Sequence, residues 1–138
     1  MIIKQDSREP EMQLLSDLNG FEIEFKREFM TVGDYSFGDV IIERKQIDDL
    51  CSSILDKRIE TQVESMKKSG KECFVIIVGN LKDRKVGINE NCILGKMVSL
   101  VVKHNMKLLW VEDEFQFLYV LKNLCEKMKG GETCQEKQ

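Results

Sequence analysis

The sequence is poor in the residues that zinc sites and histidine-based catalysis require. It has one histidine, His104, and five cysteines that form no C-x-x-C pair. A zinc site needs Cys and His ligands at short, regular spacing, and the chain has neither the ligands nor the spacing. A Ser-His-Asp or Cys-His mechanism would depend on His104, which lies in a segment with a helical pattern. We therefore expect free thiols in a reducing compartment and no histidine-centred active site.

Long apolar runs and prolines are also scarce. No apolar run approaches the roughly 20 residues that a membrane span requires. Residues 1–6 lack the apolar stretch of a signal peptide. Pro10 is the only proline, and no repeat or low-complexity linker divides the chain. These absences predict a soluble, intracellular protein without a membrane partner, cytoplasmic in a prokaryote or nuclear in a eukaryote.

The residues that are present fit one domain. Of the 138 residues, 42% are hydrophobic and 33% are charged, which suffices for a core beneath a solvated surface. The formal net charge of −3 is unfavourable for binding phosphate groups. Carboxylates that hold divalent cations reverse the local field, however, so net charge alone does not exclude a nucleic acid.

Hydrophobic periodicity divides the chain into strands and helices. The alternation at 21–25 and the apolar run at 74–78 are typical of strands, and the apolar positions after Lys45 repeat with helical spacing. The predicted strands are 1–4, 21–25, 34–37, 39–44, 74–78 and 107–111, and the predicted helices are 10–19, 47–55, 58–68, 91–104 and 114–128. This order predicts an α/β fold, a mixed central β-sheet flanked by helices, over residues 1–128. A polar tail, 129–138, is expected to be disordered.

The last two predicted helices are apolar over more than one stripe, which indicates burial on two sides or contact with a partner. In the first helix, the predicted core face consists of Leu94, Met97, Val98 and Val101. Further apolar residues lie outside this face: Ile93, Leu100 and Val102. In the second helix, the predicted core face consists of Phe117, Leu121, Leu124 and Met128. Further apolar residues lie outside this face and widen it: Phe115, Leu118, Val120 and Cys125.

Three charged residues suggest a metal site. Glu43 and Lys45 are two apart on one predicted strand, so they point to the same face and Arg44 points to the other. If the strands pair through the turn at Gly38, Asp34 lies beside Glu43. Two converging carboxylates suit Mg²⁺ or Mn²⁺, and Lys45 can act on a phosphate or an attacking water. An exposed hairpin end with ordinary surface charges is the alternative.

These residues resemble those of a known family. Residues 33–35 (GDY) and 42–50 (IERKQIDDL) resemble the GDY…ERKxxxD signature of the XPF-type structure-selective endonucleases, in the PD-(D/E)xK superfamily. Residues 6–9 (DSRE) resemble another element of that family, and Lys57, Arg58 and Gln62 resemble its following helix. The similarity covers about residues 1–128. It implies a restriction-endonuclease-like nuclease fold, like the nuclease domain of the archaeal helicase–nuclease Hef.

The resemblance also implies roles for individual residues. Asp34 and Glu43 would be ligands of Mg²⁺ or Mn²⁺, with the main-chain carbonyl of Arg44 as a third. Lys45 would orient water and phosphate. The remaining implied site residues would support the carboxylates or contact the scissile phosphate: Asp6, Arg8, Arg44 and Asp49.

Other readings of these residues stay open. Arg8, Arg58 and Gln62 are the implied DNA contacts, but Arg8 could simply pair with Glu9 or Asp6, and Gln62 could be an ordinary exposed helix residue. Asp49 stands at a helix start, where a carboxylate is favourable whatever the function.

The resulting prediction is a Mg²⁺- or Mn²⁺-dependent endodeoxyribonuclease that hydrolyses phosphodiesters in flapped or forked DNA during repair or replication-fork processing. A non-catalytic partner of a catalytic subunit and a junction resolvase are the alternatives. The family implies a homodimer through the two late helices. Its members also carry a helix-hairpin-helix domain and often a helicase, neither of which is recognisable here, so we expect a missing module to supply part of the DNA binding.

Overall fold

The computed structural model describes residues 1–129 and contains one six-stranded sheet with helices on both faces. The strands are β1 (Ile2–Asp6), β2 (Glu24–Glu28), β3 (Tyr35–Phe37), β4 (Val40–Gln46), β5 (Glu72–Val78) and β6 (Lys107–Val111). The helices are α1 (Gln13–Leu18), α2 (Ile47–Leu55), α3 (Ile59–Lys67), α4 (Glu90–Val102) and α5 (Glu114–Lys129), with a short 3-10 turn at Leu81–Asp83. No helix in this part of the chain is long and apolar enough to cross a membrane.

The sheet is mixed, as predicted. Its strand order is β2-β1-β3-β4-β5-β6. The strand β3 is antiparallel to both β1 and β4, whereas the pairs β1–β2, β4–β5 and β5–β6 are parallel. The apolar strand β5 lies between two neighbours and is buried from Cys73 to Val78, which confirms the prediction of a strand covered on both faces.

Two hydrophobic cores lie on opposite faces of the sheet. The first packs α1 and α5 against residues such as Ile42 and Ile76, and the second packs α2, α3 and α4 against residues such as Ile41 and Ile77. Because neighbouring side chains of a strand point to opposite faces, β4 contributes to both cores. The same alternation sends Glu43 and Lys45 to the side of the second core and Arg44 to the side of the first.

The predicted core face of α4 is confirmed only at Met97, which is partly buried and packs against the second core. Ile93 and Leu100 are fully buried, whereas Leu94, Val98 and Val101 are exposed. Residues seven apart lie on one face of a helix, so Ile93 and Leu100 form a stripe of their own. The helix carries two apolar stripes, and tertiary packing against α2 and β6 selects one of them.

In α5 the predicted core face is confirmed in part. Phe117 and Leu121 are fully buried, but Met128 is exposed. Leu118 and Cys125, expected outside the core face, are fully buried as well. The helix therefore buries a broader face than one stripe.

Several element boundaries also differ from the predictions. The helix α1 begins at Gln13 rather than residue 10, because the carbonyl of Pro10 accepts a hydrogen bond from the side chain of Gln5 (2.9 Å). The second strand begins at Glu24 rather than residue 21, since Glu22 has a φ of 59° and interrupts the extended backbone. Of the predicted tail, Lys129 ends α5 and the remainder lies outside the described residues.

Gly33 offers a test of how tightly the loop before β3 packs on the sheet. Its φ is +74°, and a Cβ there would lie 2.5 Å from Cγ1 of Ile41. Gly38 has a φ of +51° but nothing within 4 Å of the corresponding position. We expect Gly38→Ala to lower the free energy of unfolding by about 1–2 kcal/mol, and Gly33→Ala to lower it by a further 1–3 kcal/mol, roughly, through overlap with Ile41. Urea denaturation measures both; equal losses would contradict the close packing.

Candidate active site

The hairpin formed by β3 and β4 brings Asp34 beside Glu43, as predicted. Phe37 pairs with Val40 across the turn, and Tyr35 pairs with Ile42 at the other end of the ladder. Beyond that pair, the N–H of Asp34 donates to the carbonyl of Ile42 (2.8 Å), and the N–H of Arg44 donates to Oδ2 of Asp34 (2.8 Å). The Asp34 carboxylate therefore continues the pairing of the two strands by one step.

An open groove of about 470 Å³ lies over this point. It is lined by five of the predicted site residues, Asp6, Arg8, Asp34, Glu43 and Gln62. Loop residues 31–33 form another part of the wall, and Glu9 with the α3 residues Thr61, Ser65 and Met66 completes it. The groove therefore collects residues that are distant in sequence from β1, β3, β4 and α3.

Three of the four acidic groups that line the groove, Glu9, Asp34 and Glu43, ionise less readily than free carboxyls. Burial raises the pKa of Glu43 to about 8, and the nearby charge of Asp34 adds to the shift. Burial also raises the pKa of Asp34 to about 6, although the N–H of Arg44 opposes the change. Glu9, which the sequence interpretation did not include among the site residues, has a pKa raised to about 7 by burial and by Asp34. A bound cation would relieve this repulsion.

Lys45 is a buried cation beside the carboxylates. Its Nζ donates to Oε1 of Gln62 (2.9 Å) and lies 4.0 Å from Oε2 of Glu43. Burial lowers the pKa of Lys45, while the charge of Glu43 counteracts that effect. Gln62 is half-buried and accepts the hydrogen bond from Lys45, so it is not an ordinary exposed helix residue.

Asp6 and Arg8 form the groove wall near β2. The Asp6 carboxylate accepts the N–H of Met30 at Oδ1 and Nε of Arg8 at Oδ2, both at 2.9 Å. Burial opposes ionisation of Asp6, but these two donors outweigh it and hold its pKa below the ordinary value. Both oxygens of Asp6 are thus engaged in fixing the loop. Arg8 is exposed, donates to the carbonyl of Met30 (2.8 Å) and stacks on the ring of Phe29.

Arg44 points away from the groove, as strand alternation predicts. Its guanidinium makes two hydrogen bonds of 3.0 Å to Glu114 and lies 3.6 Å from Glu9. The Arg44 side chain is 8% exposed and that of Glu114 is 32% exposed, so the guanidinium is buried while Glu114 keeps partial contact with solvent. Glu114 is 70 residues away in sequence and was not predicted as part of the site. Nothing in its local pattern distinguishes it from any other acidic residue in the first turn of a helix.

The remaining predicted residues lie at the edge of this arrangement. Asp49 is exposed in the first turn of α2, and its charge acts on the pKa of both Lys45 and Glu43. Arg58 is exposed and pairs with Asp56 at 3.3 Å, yet its charge also acts on the pKa of Lys45. Both residues are therefore close enough to influence the site without direct contact.

The donor set fits a hydrated divalent cation rather than a protein-enclosed one. Across residues 1–129, no group of three or more His, Cys, Asp and Glu side chains is arranged to hold a metal ion. Mg²⁺ keeps several waters and commonly takes only one or two carboxylates, which Asp34 and Glu43 can supply. Asp34 also retains an oxygen that is not bound to the N–H of Arg44. Oxygen donors and the raised pKa values both favour a hard cation.

Residues 5–124 match the family described as the ERCC4 domain. The chain belongs to the ERCC4-domain family. This ERCC4 domain is 30% identical over 123 residues to the 3′-flap repair endonuclease Xpf of Saccharolobus solfataricus, covering 88% of the chain and 52% of that protein. It is 29% identical over 123 residues to a putative ATP-dependent RNA helicase of Methanocaldococcus jannaschii, covering 88% of the chain and 15% of the relative. The chain thus spans about half the length of the first relative and a small part of the second.

Solved structures confirm the fold. XPF from Aeropyrum pernix superposes with a TM-score of 0.81 at 22% identity, covering 94% of this ERCC4 domain and 65% of the other chain. The same protein in complex with DNA gives a TM-score of 0.82 at 22% identity, covering 94% and 66%. The predicted XPF-type fold, a mixed sheet flanked by helices, is therefore confirmed.

The raised pKa of Glu43 predicts how the stability of the metal-free domain changes with pH. The unfolded chain loses this proton near the ordinary pKa of 4.5 and the folded chain near 8, so the folded state binds more protons in between. The free energy of unfolding therefore falls as the pH rises through this window. We expect Glu43→Gln to stabilise the domain at pH 8 by on the order of 2 kcal/mol and to have little effect at pH 5.

Denaturation in EDTA at both pH values measures this effect. Glu64→Gln, on the exposed face of α3, is the matched control and is expected to leave the pH dependence unchanged. A wild-type domain that is equally stable at pH 5 and pH 8, with no gain from Glu43→Gln, would contradict the raised pKa.

Proposed function

We propose that this ERCC4 domain is a Mg²⁺- or Mn²⁺-dependent endonuclease that hydrolyses phosphodiesters in flapped or forked DNA. The observation that carries the proposal is the convergence of Asp34 and Glu43 in one groove beside the buried ammonium group of Lys45. Two carboxylates and a neighbouring cation are the groups that metal-assisted phosphodiester hydrolysis requires.

The relatives support this substrate class. One is named a 3′-flap repair endonuclease, and a structural neighbour of the same fold is solved in complex with DNA. The chain spans about half the length of the first relative, and we propose that further segments, such as a helix-hairpin-helix or helicase module, supply much of the DNA binding. The net charge of −3 agrees with limited phosphate binding by this domain alone.

The residues in and beside the groove would have different roles in the reaction. Asp34, Glu43 and the carbonyl of Arg44 would hold the cation. When bound, it supplies a water of lowered pKa and offsets charge that develops on the phosphate. Lys45, fixed by Gln62, presents a positive charge to a phosphate oxygen or orients the attacking water. Asp49 supports Lys45 through its charge.

Two positive groups extend this surface along the DNA. Arg8 is exposed at the groove, and Arg58 is exposed at the start of α3. Guanidinium groups bind phosphate oxygens in two-pronged geometry, so both residues suit contacts to the sugar–phosphate backbone rather than to the bases. Gln62 takes part indirectly, through Lys45.

Cleavage assays on a panel of 3′-flap, fork, four-way junction and plain duplex DNA test the proposal. With Mg²⁺ or Mn²⁺ we expect cleavage of flap and fork, abolished by EDTA. Asp34→Ala and Glu43→Ala should each lower the rate by roughly 100-fold or more, because a metal ligand is lost. Glu64→Gln on the outer face of α3 is the control. An Asp34→Ala or Glu43→Ala protein that cuts a flap at the wild-type rate would refute the proposal.

Two other functions give different outcomes in the same assays. A junction resolvase would cut the four-way junction in preference to flap and fork. A non-catalytic partner of another subunit would bind no Mn²⁺ in isothermal titration and cut nothing. The presence of Asp34 and Glu43 in the groove, with the ammonium group of Lys45 4.0 Å from Glu43, favours a catalytic function.

We further propose that the protein forms a homodimer through α4, α5 and the edge strand β6. The helices α4 and α5 contact β6 from opposite faces of the sheet. The three elements expose a set of large apolar side chains: Leu94, Val98, Val101 and Val102 from α4, Leu109 and Trp110 from β6, and Phe115, Tyr119 and Met128 from α5. A depression of about 220 Å³ between β6 and α5 is lined by Leu109, Tyr119, Val120 and Leu124, with Asn123 and Lys127. Apolar patches of this kind mark protein–protein contacts.

Sedimentation at micromolar concentration tests this assembly. We expect a species of twice the 16.0 kDa chain mass, and we expect Val98→Glu to weaken it by roughly tenfold or more through a buried, unpaired charge. Phe29→Glu, an equally exposed site next to the opposite edge strand β2, is the control. Only a 16.0 kDa species for the wild type would rule the homodimer out.

A further inference from the structure

A partly buried charge cluster lies behind β4, on the face of the sheet opposite the groove. Glu114, the first residue of α5, accepts two hydrogen bonds of 3.0 Å from Nε and Nη2 of Arg44. It also accepts a hydrogen bond of 2.5 Å from Nε2 of Gln46. One carboxylate therefore holds two alternate residues of the same strand, on either side of Lys45.

Stability alone is a weak explanation for such a cluster. Taking an arginine and a carboxylate out of water is costly, and apolar replacements of buried ion pairs are often neutral or stabilising. The Arg44 side chain is nevertheless 8% exposed and Glu114 is 32% exposed. The planar guanidinium and its two parallel hydrogen bonds fix orientation as well as distance. The pair thus defines where the backbone of Arg44 lies relative to α5.

The backbone of Arg44 contacts Asp34, one of the residues that line the groove. Its N–H donates to Oδ2 of Asp34, and Glu43 and Lys45 are its direct neighbours in the chain. The β3–β4 ladder ends at Tyr35 and Ile42, so on that edge the following residues of β4 lack a strand partner. On the other edge β5 pairs with β4 as far as Gln46. The hydrogen bonds from Arg44 and Gln46 to Glu114 therefore stabilise the part of β4 that pairs with a strand on one edge only.

We propose that Glu114 is a positioning residue of the metal centre. From α5 it fixes Arg44 and Gln46, and through the Arg44 main chain it sets the Asp34 carboxylate against Glu43. Glu114 contacts neither substrate nor cation in this role. The inference rests on the proposed metal-dependent function. The helix α5 would then have two roles: its first turn positions the metal centre, and its outer face is part of the proposed dimer surface.

The first measurement uses the metal-free protein. Amide exchange followed by NMR reports whether Arg44 keeps its hydrogen bond to Asp34. We expect Glu114→Ala to speed exchange of the Arg44 amide by roughly tenfold or more, while the amide of Ile76, opposite Arg44 on β5, exchanges as in the wild type. Glu112→Gln, an exposed carboxylate two residues earlier, is the matched control.

The second measurement is Mn²⁺ titration of the same variants. Loss of a supporting partner lowers metal affinity by about 10- to 100-fold, so Glu114→Ala should bind Mn²⁺ more weakly within that range. Glu114→Gln keeps the shape and one acceptor, and an intermediate loss is expected. In cleavage assays the kcat should fall while the KM for DNA stays near the wild-type value, because the DNA-contacting residues are unchanged.

The outcomes are separable. Wild-type Arg44 exchange together with wild-type Mn²⁺ affinity in Glu114→Ala would overturn the inference. If Glu114→Ala fails to fold by circular dichroism, Glu114→Gln decides by the same two measurements. If the wild type binds no Mn²⁺, the proposed function fails instead, and the exchange rate of the Arg44 amide still decides whether Glu114 orders the strand.

Discussion

The hydrogen bond from the Arg44 N–H to the Asp34 carboxylate joins β3 and β4 just where their backbone pairing ends. A backbone N–H at this position needs an acceptor, and the side chain of Asp34 replaces the carbonyl that a longer β3 would offer. In this arrangement one carboxylate oxygen of Asp34 points toward β4, beside Glu43. Hence the same contact that ends the hairpin also creates the pair of carboxylates in the groove.

The charges around this contact are unevenly compensated. Lys45 is held by Gln62, and Arg44 is held by Glu114 on the other face of the sheet and lies 3.6 Å from Glu9, which also lines the groove. Burial raises the pKa values of Asp34 and Glu43, and the nearby charges of Lys45 and Arg44 offset this only in part. The two hydrophobic cores must stabilise a fold that contains this local repulsion. A site of this kind favours cation binding over maximal stability.

Much of the fold and part of the site could be predicted from local sequence patterns. The period-2 alternation of β4 separated Glu43 and Lys45 from Arg44, and the short turn at Gly38 indicated the hairpin that brings Asp34 to them. Glu114 could not be predicted as part of the site, because its contact to Arg44 spans 70 residues and depends on how α5 docks. The face of α4 could not be decided for a similar reason. Its two apolar stripes are equivalent locally, and packing against α2 and β6 chose Ile93 and Leu100.

The two-residue turn at Gly38 and Asp39 has a consequence for how this protein can vary. Because side chains of β4 alternate, a shift of its register by one residue would exchange the faces of Arg44 and its neighbours. Glu43 and Lys45 would then be buried against α5, and the guanidinium would enter the groove. A change of length between β3 and β4 is therefore compatible with the site only if the loop accommodates it without shifting the register. The exposed hairpin tip thereby determines which face of β4 carries Glu43 and Lys45.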